Sequence, residues 1–220
     1  MLDRSWGWLW LFHSPAIIEH MFAMEPLQPS LFGESAPVPD TGFVSLERFD
    51  LDSESWLDYA PGFLVGDARL YDVLTETVHW RQPEVRMYDR MVKTPRLVGT
   101  VQPDAHPVIP EMIELLSERY QITMDQVSAG WYRTGIDSVA WHGDRVAREL
   151  PHSIVATVSL GGPRRFLIRP RGGGESMGFD LGRGDLVVMG GACQRLWEHT
   201  IPKSASAPPR IALMFRHPYD

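Results

Sequence analysis

Hydrophobic and polar positions change their period about halfway along the chain. Between Gly66 and Trp80, the residues Leu70, Val73, Leu74, Thr77 and Val78 recur at three- and four-residue spacing. That spacing predicts a helix with one apolar face. Pro110 opens a second predicted helix, with Met112, Ile113, Leu115 and Leu116 on its inner side. From Gln126 onward the grammar changes to short stretches rich in β-branched and aromatic residues. Candidate strands are Gln126–Arg133, Ser138–His142, Ser153–Leu160, Arg164–Arg169, Ser176–Leu181, Asp185–Met189, Gln194–Thr200 and Arg210–Arg216. Gly135, Gly161-Gly162-Pro163, Gly172-Gly173-Gly174, Gly182, Gly184 and Gly190-Gly191 punctuate them. Roughly eight short strands at regular spacing predict a sandwich or jelly roll. The fold class is mainly β with N-terminal helices, an α+β arrangement.

The earlier segments are less regular. Residues 24–42 are rich in Pro, Ser and Gly and read as a loose lead-in. Val44 to Leu57 is expected to hold a short strand followed by a capped turn. Arg81 to Pro107 has scattered prolines and aromatics, so it reads as a long connection of the kind that forms lids or binding loops. Residues 1–42 are thus expected to be an extended or disordered leader, and 43–220 one domain. Met1 to Ala23 carry Trp6, Trp8 and Trp10 but lack the basic start, long apolar stretch and cleavage site of a signal peptide. We expect translation to begin at Met24; the alternative is a membrane-surface or packing segment.

Composition narrows the setting. A chain of 220 residues suffices for one domain with a full core. At 44% hydrophobic and 22% charged it reads as an ordinary globular protein, expected to be a cytoplasmic monomer. Cys193 is the sole cysteine, so no intramolecular disulfide can form. No apolar run is long enough to span a membrane. A net charge of −7 argues against indiscriminate nucleic-acid binding but leaves room for a local basic face.

The candidate chemistry begins at Trp141-His142-Gly143-Asp144. On an extended chain His142 and Asp144 point to one side, and Gly143 removes bulk from the other. His199, on a later predicted strand, is expected to complete a two-histidine, one-carboxylate set from across the barrel. Such a set leaves open positions on Fe(II) for a cosubstrate and O₂. The absence of cysteine ligands argues against structural zinc. His-x-Asp alone is common among eight histidines; the arginine pair beyond His199 gives it weight. Arg210 and Arg216 stand six apart, so a strand puts both on one face with Ala212 and Met214 between them. Two guanidiniums facing an interior need anions, and a dicarboxylate such as 2-oxoglutarate supplies one at each end. Tyr132 can donate its hydroxyl to the same ligand. The plain alternative is one arginine in an ordinary salt bridge and the other in solvent.

With these residues assembled, the chain resembles the AlkB family of Fe(II)- and 2-oxoglutarate-dependent dioxygenases from about Trp80 to Arg216. The carrying segments are Pro95-Arg96-Leu97, Tyr132 ten residues before His142, Trp141 to Asp144, Ser159-Leu160-Gly161 with Arg164-Arg165-Phe166, Gly184 to Met189, Trp197-Glu198-His199 with Pro202-Lys203, and Arg210 to Arg216. The resemblance implies a double-stranded β-helix, a jelly-roll variant, behind N-terminal helices. It implies iron at His142, Asp144 and His199. It also implies that Arg210 pairs with the distal carboxylate of 2-oxoglutarate, that Arg216 binds near the iron-chelating carboxylate, and that Tyr132 helps to hold the cosubstrate. The implied reaction is oxidative demethylation of alkylated DNA or RNA bases such as 1-methyladenine and 3-methylcytosine. The base must be unstacked to react.

Five positions depart from the family pattern. Gly130 stands where asparagine is common, and Ala212 and Met214 where asparagine and threonine are common, so fewer hydrogen bonds to the cosubstrate are expected. Arg145 and Val146 come directly after the His-x-Asp, where repair members often carry acids; a cation there disfavours a positively charged base. That departure motivates a second reading: the same chemistry on a modified RNA base, a protein side chain or a small molecule. Arg145, Arg148, Arg164, Arg165, Arg169, Arg171, Arg183 and Arg195 crowd the C-terminal half and are expected to neutralise phosphates near the site. Trp80, Tyr88 and Trp141 are candidates for stacking on a flipped base.

Overall fold

The computed structural model describes residues 35–87, 89–144 and 147–218. Expectations placed on the leader before residue 35, on Tyr88 and on Arg145 lie outside the described residues.

Strands β1 (Val38–Pro39), β2 (Glu47–Asp50), β3 (Ser55–Ala60) and β4 (Leu64–Val65) precede helix α1 (Asp67–Thr77). Strands β5 (Glu84–Met87), β6 (Arg90–Lys93) and β7 (Leu97–Thr100) lead to α2 (Val108–Tyr120). Beyond it come β8 (Gln126–Tyr132), β9 (Val139–His142), β10 (Val155–Gly161), β11 (Arg164–Pro170), β12 (Met177–Leu181), β13 (Leu186–Gly191), the short α3 (Cys193–Leu196), β14 (Trp197–Ile201) and β15 (Arg210–Arg216). One antiparallel sheet runs β2-β3-β13-β10-β15-β8-β7 and a second runs β12-β11-β14-β9. This mainly β architecture with two principal helices is the expected fold class.

Alternation along the strands explains the layers. On β15, Ile211, Leu213 and Phe215 join Leu70, Leu74, Ile109, Met112 and Leu116 of the two helices in one apolar cluster. The intervening Ala212 belongs to a second cluster with Tyr132, Val155, Phe166, Ile168, Phe179, Leu181 and Val187. The large sheet is therefore covered on one face by helices and on the other by the second sheet. Its central β10 is buried from Val155 to Leu160, so even the polar Thr157 and Ser159 on it are shielded from solvent.

Three expectations need correction. Arg81 to Pro107 is not a bare connection: it holds the β5–β6 hairpin and β7, which pairs with β8 at the edge of the large sheet. The Val44–Leu57 region contributes two paired strands, not one. The stretch Gln194–Thr200 opens as helix α3 and becomes strand only at Trp197. In each case pairing with a distant strand, or packing against one, overrides a weak local signal.

Candidate metal and anion site

A cavity of about 260 Å³ opens between the two sheets, lined by Arg81, Arg96, Tyr132, His142, Asp144, His199, Arg210, Ala212, Met214 and Arg216, among others. His142 ends β9 and Asp144 stands two residues on. His199 does not reach them from across the barrel: β14 is the neighbour of β9, and His199 sits in register directly opposite His142. The ligand atoms of His142, Asp144 and His199 lie within 4.8 Å of one another. His142 Nδ1 lies 2.9 Å from the Ala140 carbonyl and 3.1 Å from the His199 carbonyl. A carbonyl can only accept, so Nδ1 carries the proton and Nε2 is left with its lone pair for a metal.

Electrostatics prepare the same donors. Burial, aided by the charge of Arg96, lowers the pKa of His142. Burial pushes His199 down to about 3, with His142 adding to the shift. Both imidazoles are therefore neutral at physiological pH, as metal ligation requires. Burial opposes ionisation of Asp144, but the charge and hydrogen bond of Arg216 lead the effects that override it and hold the carboxyl below its usual range. Arg216 Nε donates to Asp144 Oδ2 at 2.6 Å and its Nη1 to Ser128 Oγ at 2.7 Å.

Two residues support this loop: Gln194, which had no sequence signal, and Gly143, whose lack of bulk the sequence already marked. Gln194, 1% exposed on α3, accepts the Asp144 backbone N–H at Oε1, 2.8 Å away. A Cβ at Gly143 would stand 2.3 Å from the Gln194 carbonyl, so only glycine lets the His-x-Asp turn lie against α3.

Arg210 is 1% exposed. Its Nε donates to Ser159 Oγ at 2.8 Å, while its Nη1 has no partner. Burial pushes the guanidinium pKa down to about 10, still charged at neutral pH. A buried cation with an idle donor, on the cavity wall that also carries the His-Asp-His set, fits a carboxylate ligand. Tyr132, 1% exposed, completes the wall. Its hydroxyl accepts from Arg96 Nη1 at 2.7 Å. Arg96 is the functional residue that the sequence reading passed over. Pro95-Arg96-Leu97 carried the family resemblance, but only the fold turns that arginine into the cavity.

The expected substrate residues fare differently. Arg164 is 3% exposed and donates to the carbonyls of Thr134, Asp137 and Pro202; it is buried, with both terminal nitrogens engaged in fastening loops. Arg165 pairs with Asp180 on the surface. Among the described side chains, the rest of the basic cluster is similarly engaged: Arg169 with Glu198, Arg183 with Asp67, Arg195 with Glu54, and Arg171 with backbone carbonyls; the side chain of Arg148, like Arg145, lies outside them. Trp80 packs at 5.3 Å from Trp131 and stays in the helix-side cluster, whereas its neighbour Arg81 lines the cavity. Trp141 lies under the Arg169 guanidinium, 3.9 Å from it.

Residues 65–216 match the family model described as the 2OG-Fe(II) oxygenase superfamily. The alpha-ketoglutarate-dependent dioxygenase alkB homolog 3 of Homo sapiens is 30% identical over 185 residues, covering 72% of this chain and 65% of that protein. The DNA oxidative demethylase ALKBH2 of Arabidopsis thaliana is 27% identical over 217 residues, covering 78% of this chain and 69% of that protein. The chain thus spans just under two thirds of the human relative. Among solved structures, OsALKBH1 superposes with a TM-score of 0.53 at 14% identity, covering 78% of this chain and all of that one. A prolyl hydroxylase from Trichoplax adhaerens gives 0.53 at 11% identity, with 73% and 83% covered. At these identities both speak for the fold alone.

Proposed function

We propose, for a chain that belongs to the 2OG-Fe(II) oxygenase superfamily, that it is a dioxygenase removing N-alkyl groups from nucleic-acid bases. The cofactor set of the superfamily is Fe(II), 2-oxoglutarate and O₂. The observation that carries the reading is the idle, buried Arg210 Nη1 in the same cavity as His142, Asp144 and His199.

In this reading His142, Asp144 and His199 hold Fe(II), and the neutral imidazoles and ionised carboxylate need no proton rearrangement to do so. Arg210 takes the distal carboxylate of 2-oxoglutarate. The Tyr132 hydroxyl, held by Arg96, donates its own proton to the same group. Arg216 keeps Asp144 ionised and oriented and stands near the cosubstrate's other carboxylate. The apolar walls Val139, Val155, Leu181 and Val187 keep bulk water from the reacting centre. When bound, the iron centre couples two oxidations: 2-oxoglutarate takes one oxygen atom of O₂ and becomes succinate and CO₂, and the other enters an N–CH₃ carbon–hydrogen bond. The resulting N-hydroxymethyl group releases formaldehyde and returns the N–H. The names of the human and Arabidopsis relatives support this substrate class, and so does the placing of the metal donors on the wall of a cavity between two sheets, where a base must leave its stack to reach them.

The test is mass spectrometry of single-stranded oligonucleotides, each carrying one N-methylated base, incubated with protein, Fe(II), 2-oxoglutarate and ascorbate. Loss of one methyl mass with the intact protein but not with His142→Ala supports the reading. Conversion of 2-oxoglutarate to succinate with no methyl loss from any base moves the chemistry to a modified RNA base, a protein side chain or a small molecule.

A further inference from the structure

We propose that this site selects alkylated bases carrying no formal charge over cationic ones. The inference rests on the demethylase reading above and narrows its substrate class.

Charge at the cavity carries it. Among the described lining residues Asp144 is the only carboxylate, against the guanidiniums of Arg81, Arg96, Arg210 and Arg216. Asp144 is already taken by Arg216. No ion pair involves Arg81, Arg96 or Arg210 among the described residues. In sequence, Arg145 and Val146 come next after Asp144 and add no acid. Loading does not reverse the sign. Four guanidiniums and a divalent ion bring six positive charges; Asp144 and a 2-oxoglutarate dianion return three. A cationic ring entering this cavity would lose its hydration and meet like charge with no carboxylate free to pair with it. A neutral ring meets no such barrier.

Arg96 is the residue best placed to decide the matter. Its guanidinium lies beside Gly130: a Cβ there would stand in ordinary contact with it, 3.7 Å from Nη1 and 3.9 Å from Cδ. Nη1 is fastened to the Tyr132 hydroxyl and the guanidinium carbon lies 5.7 Å from that ring. A hydroxyl accepting a hydrogen bond is no carboxylate counter-ion, so the charge of Arg96 is held in place without being paired. Thr100 and Arg81 continue the wall away from the metal ligands into a second cleft that holds His79 and Asp104; Asp104 lies in that cleft and does not line the metal cavity.

The experiment pairs two lesions of nearly one shape. 3-Methylcytosine is a cation at neutral pH; 3-methyluracil replaces its amino group by a carbonyl and is neutral. Each is placed singly in the same single-stranded oligonucleotide. Turnover is read as methyl loss, and binding as the Kd of a fluorescent oligonucleotide on protein loaded with 2-oxoglutarate and Zn(II), which does no redox chemistry. The expected result is a kcat/KM at least tenfold higher for 3-methyluracil, with Kd ordered the same way. Arg96→Gln should shrink the ratio by improving the 3-methylcytosine arm, and Arg96→Lys should keep it. Should Arg96→Gln fail to fold, Arg81→Gln tests the same field from an exposed position. Methyl loss from both lesions at equal rates, or faster from 3-methylcytosine, overturns the selection and leaves the demethylase reading standing. Loss from neither, while 2-oxoglutarate is consumed, overturns both.

Discussion

Arg164 and Arg210 are the same residue under nearly the same burial, 3% and 1% exposed, and their guanidinium carbons lie 5.3 and 5.6 Å from one ring, that of Tyr132. Their donors go to opposite ends. Arg164, on β11, spends its two terminal nitrogens on three backbone carbonyls. Arg210, on β15, is held by one serine and keeps Nη1 idle beside the metal ligands. The first is a staple and the second a receptor. A buried arginine is thus informative about ligands only when its hydrogen bonds are counted, because a satisfied cation has nothing left to offer.

The contrast can be tested by substitution. The largest effect is expected at the metal set that makes Arg210 a receptor. His142→Ala or Asp144→Ala should reduce turnover below detection with the circular-dichroism spectrum retained, since neither side chain fills the apolar clusters; full activity in either would refute the assignment. Next, Arg210→Met should raise the 2-oxoglutarate requirement roughly ten- to hundredfold, the worth of a charge-assisted hydrogen bond, with Tm little changed. Arg164→Met should do the reverse. Three carbonyls lose their donor, so we expect about 3 kcal/mol of lost stability in a urea titration and an unchanged 2-oxoglutarate requirement. Equal behaviour of the two variants would erase the distinction.

Smaller effects sharpen it. Gln194→Ala removes the acceptor of the Asp144 N–H and should weaken Fe(II) binding about tenfold, read by metal titration against a chelator; Gln194→Asn should recover part of it. The smallest concerns the Arg164 anchor at Asp137. Burial opposes ionisation of that carboxyl, yet Arg133 holds it below its usual range. A depressed carboxyl pKa stabilises the fold above the unfolded value, about 3.9, and that stability is lost as pH falls through the folded value. Arg133→Ala should therefore lower Tm at pH 6 by the equivalent of about 1 kcal/mol or less, with the difference fading below about pH 4.

Local periodicity carried much of this protein. The even spacing of Arg210, Ala212, Met214 and Arg216 already placed all four on one face, because strand alternation depends on nothing beyond neighbouring residues. The helix over Asp67–Thr77, the β-rich second half and the His142, Asp144 and His199 donors were legible for the same reason, or from the motifs around them. The hairpin within Arg81–Pro107 was not, since its strands have no pattern strong enough to announce a pairing.

Which cations are free emerges only from the closed fold. Arg164 and Arg165 are adjacent in sequence and both were read as phosphate contacts. One points inward to carbonyls 27 to 38 residues away and the other outward to Asp180. Arg96 reaches Tyr132 across 36 residues, and Gln194 reaches Asp144 across 50. Donor types, and the face each strand presents, are written in the chain itself, because they come from residue chemistry and short-range geometry. Which donor stays unpaired depends on partners brought together only when the two sheets close.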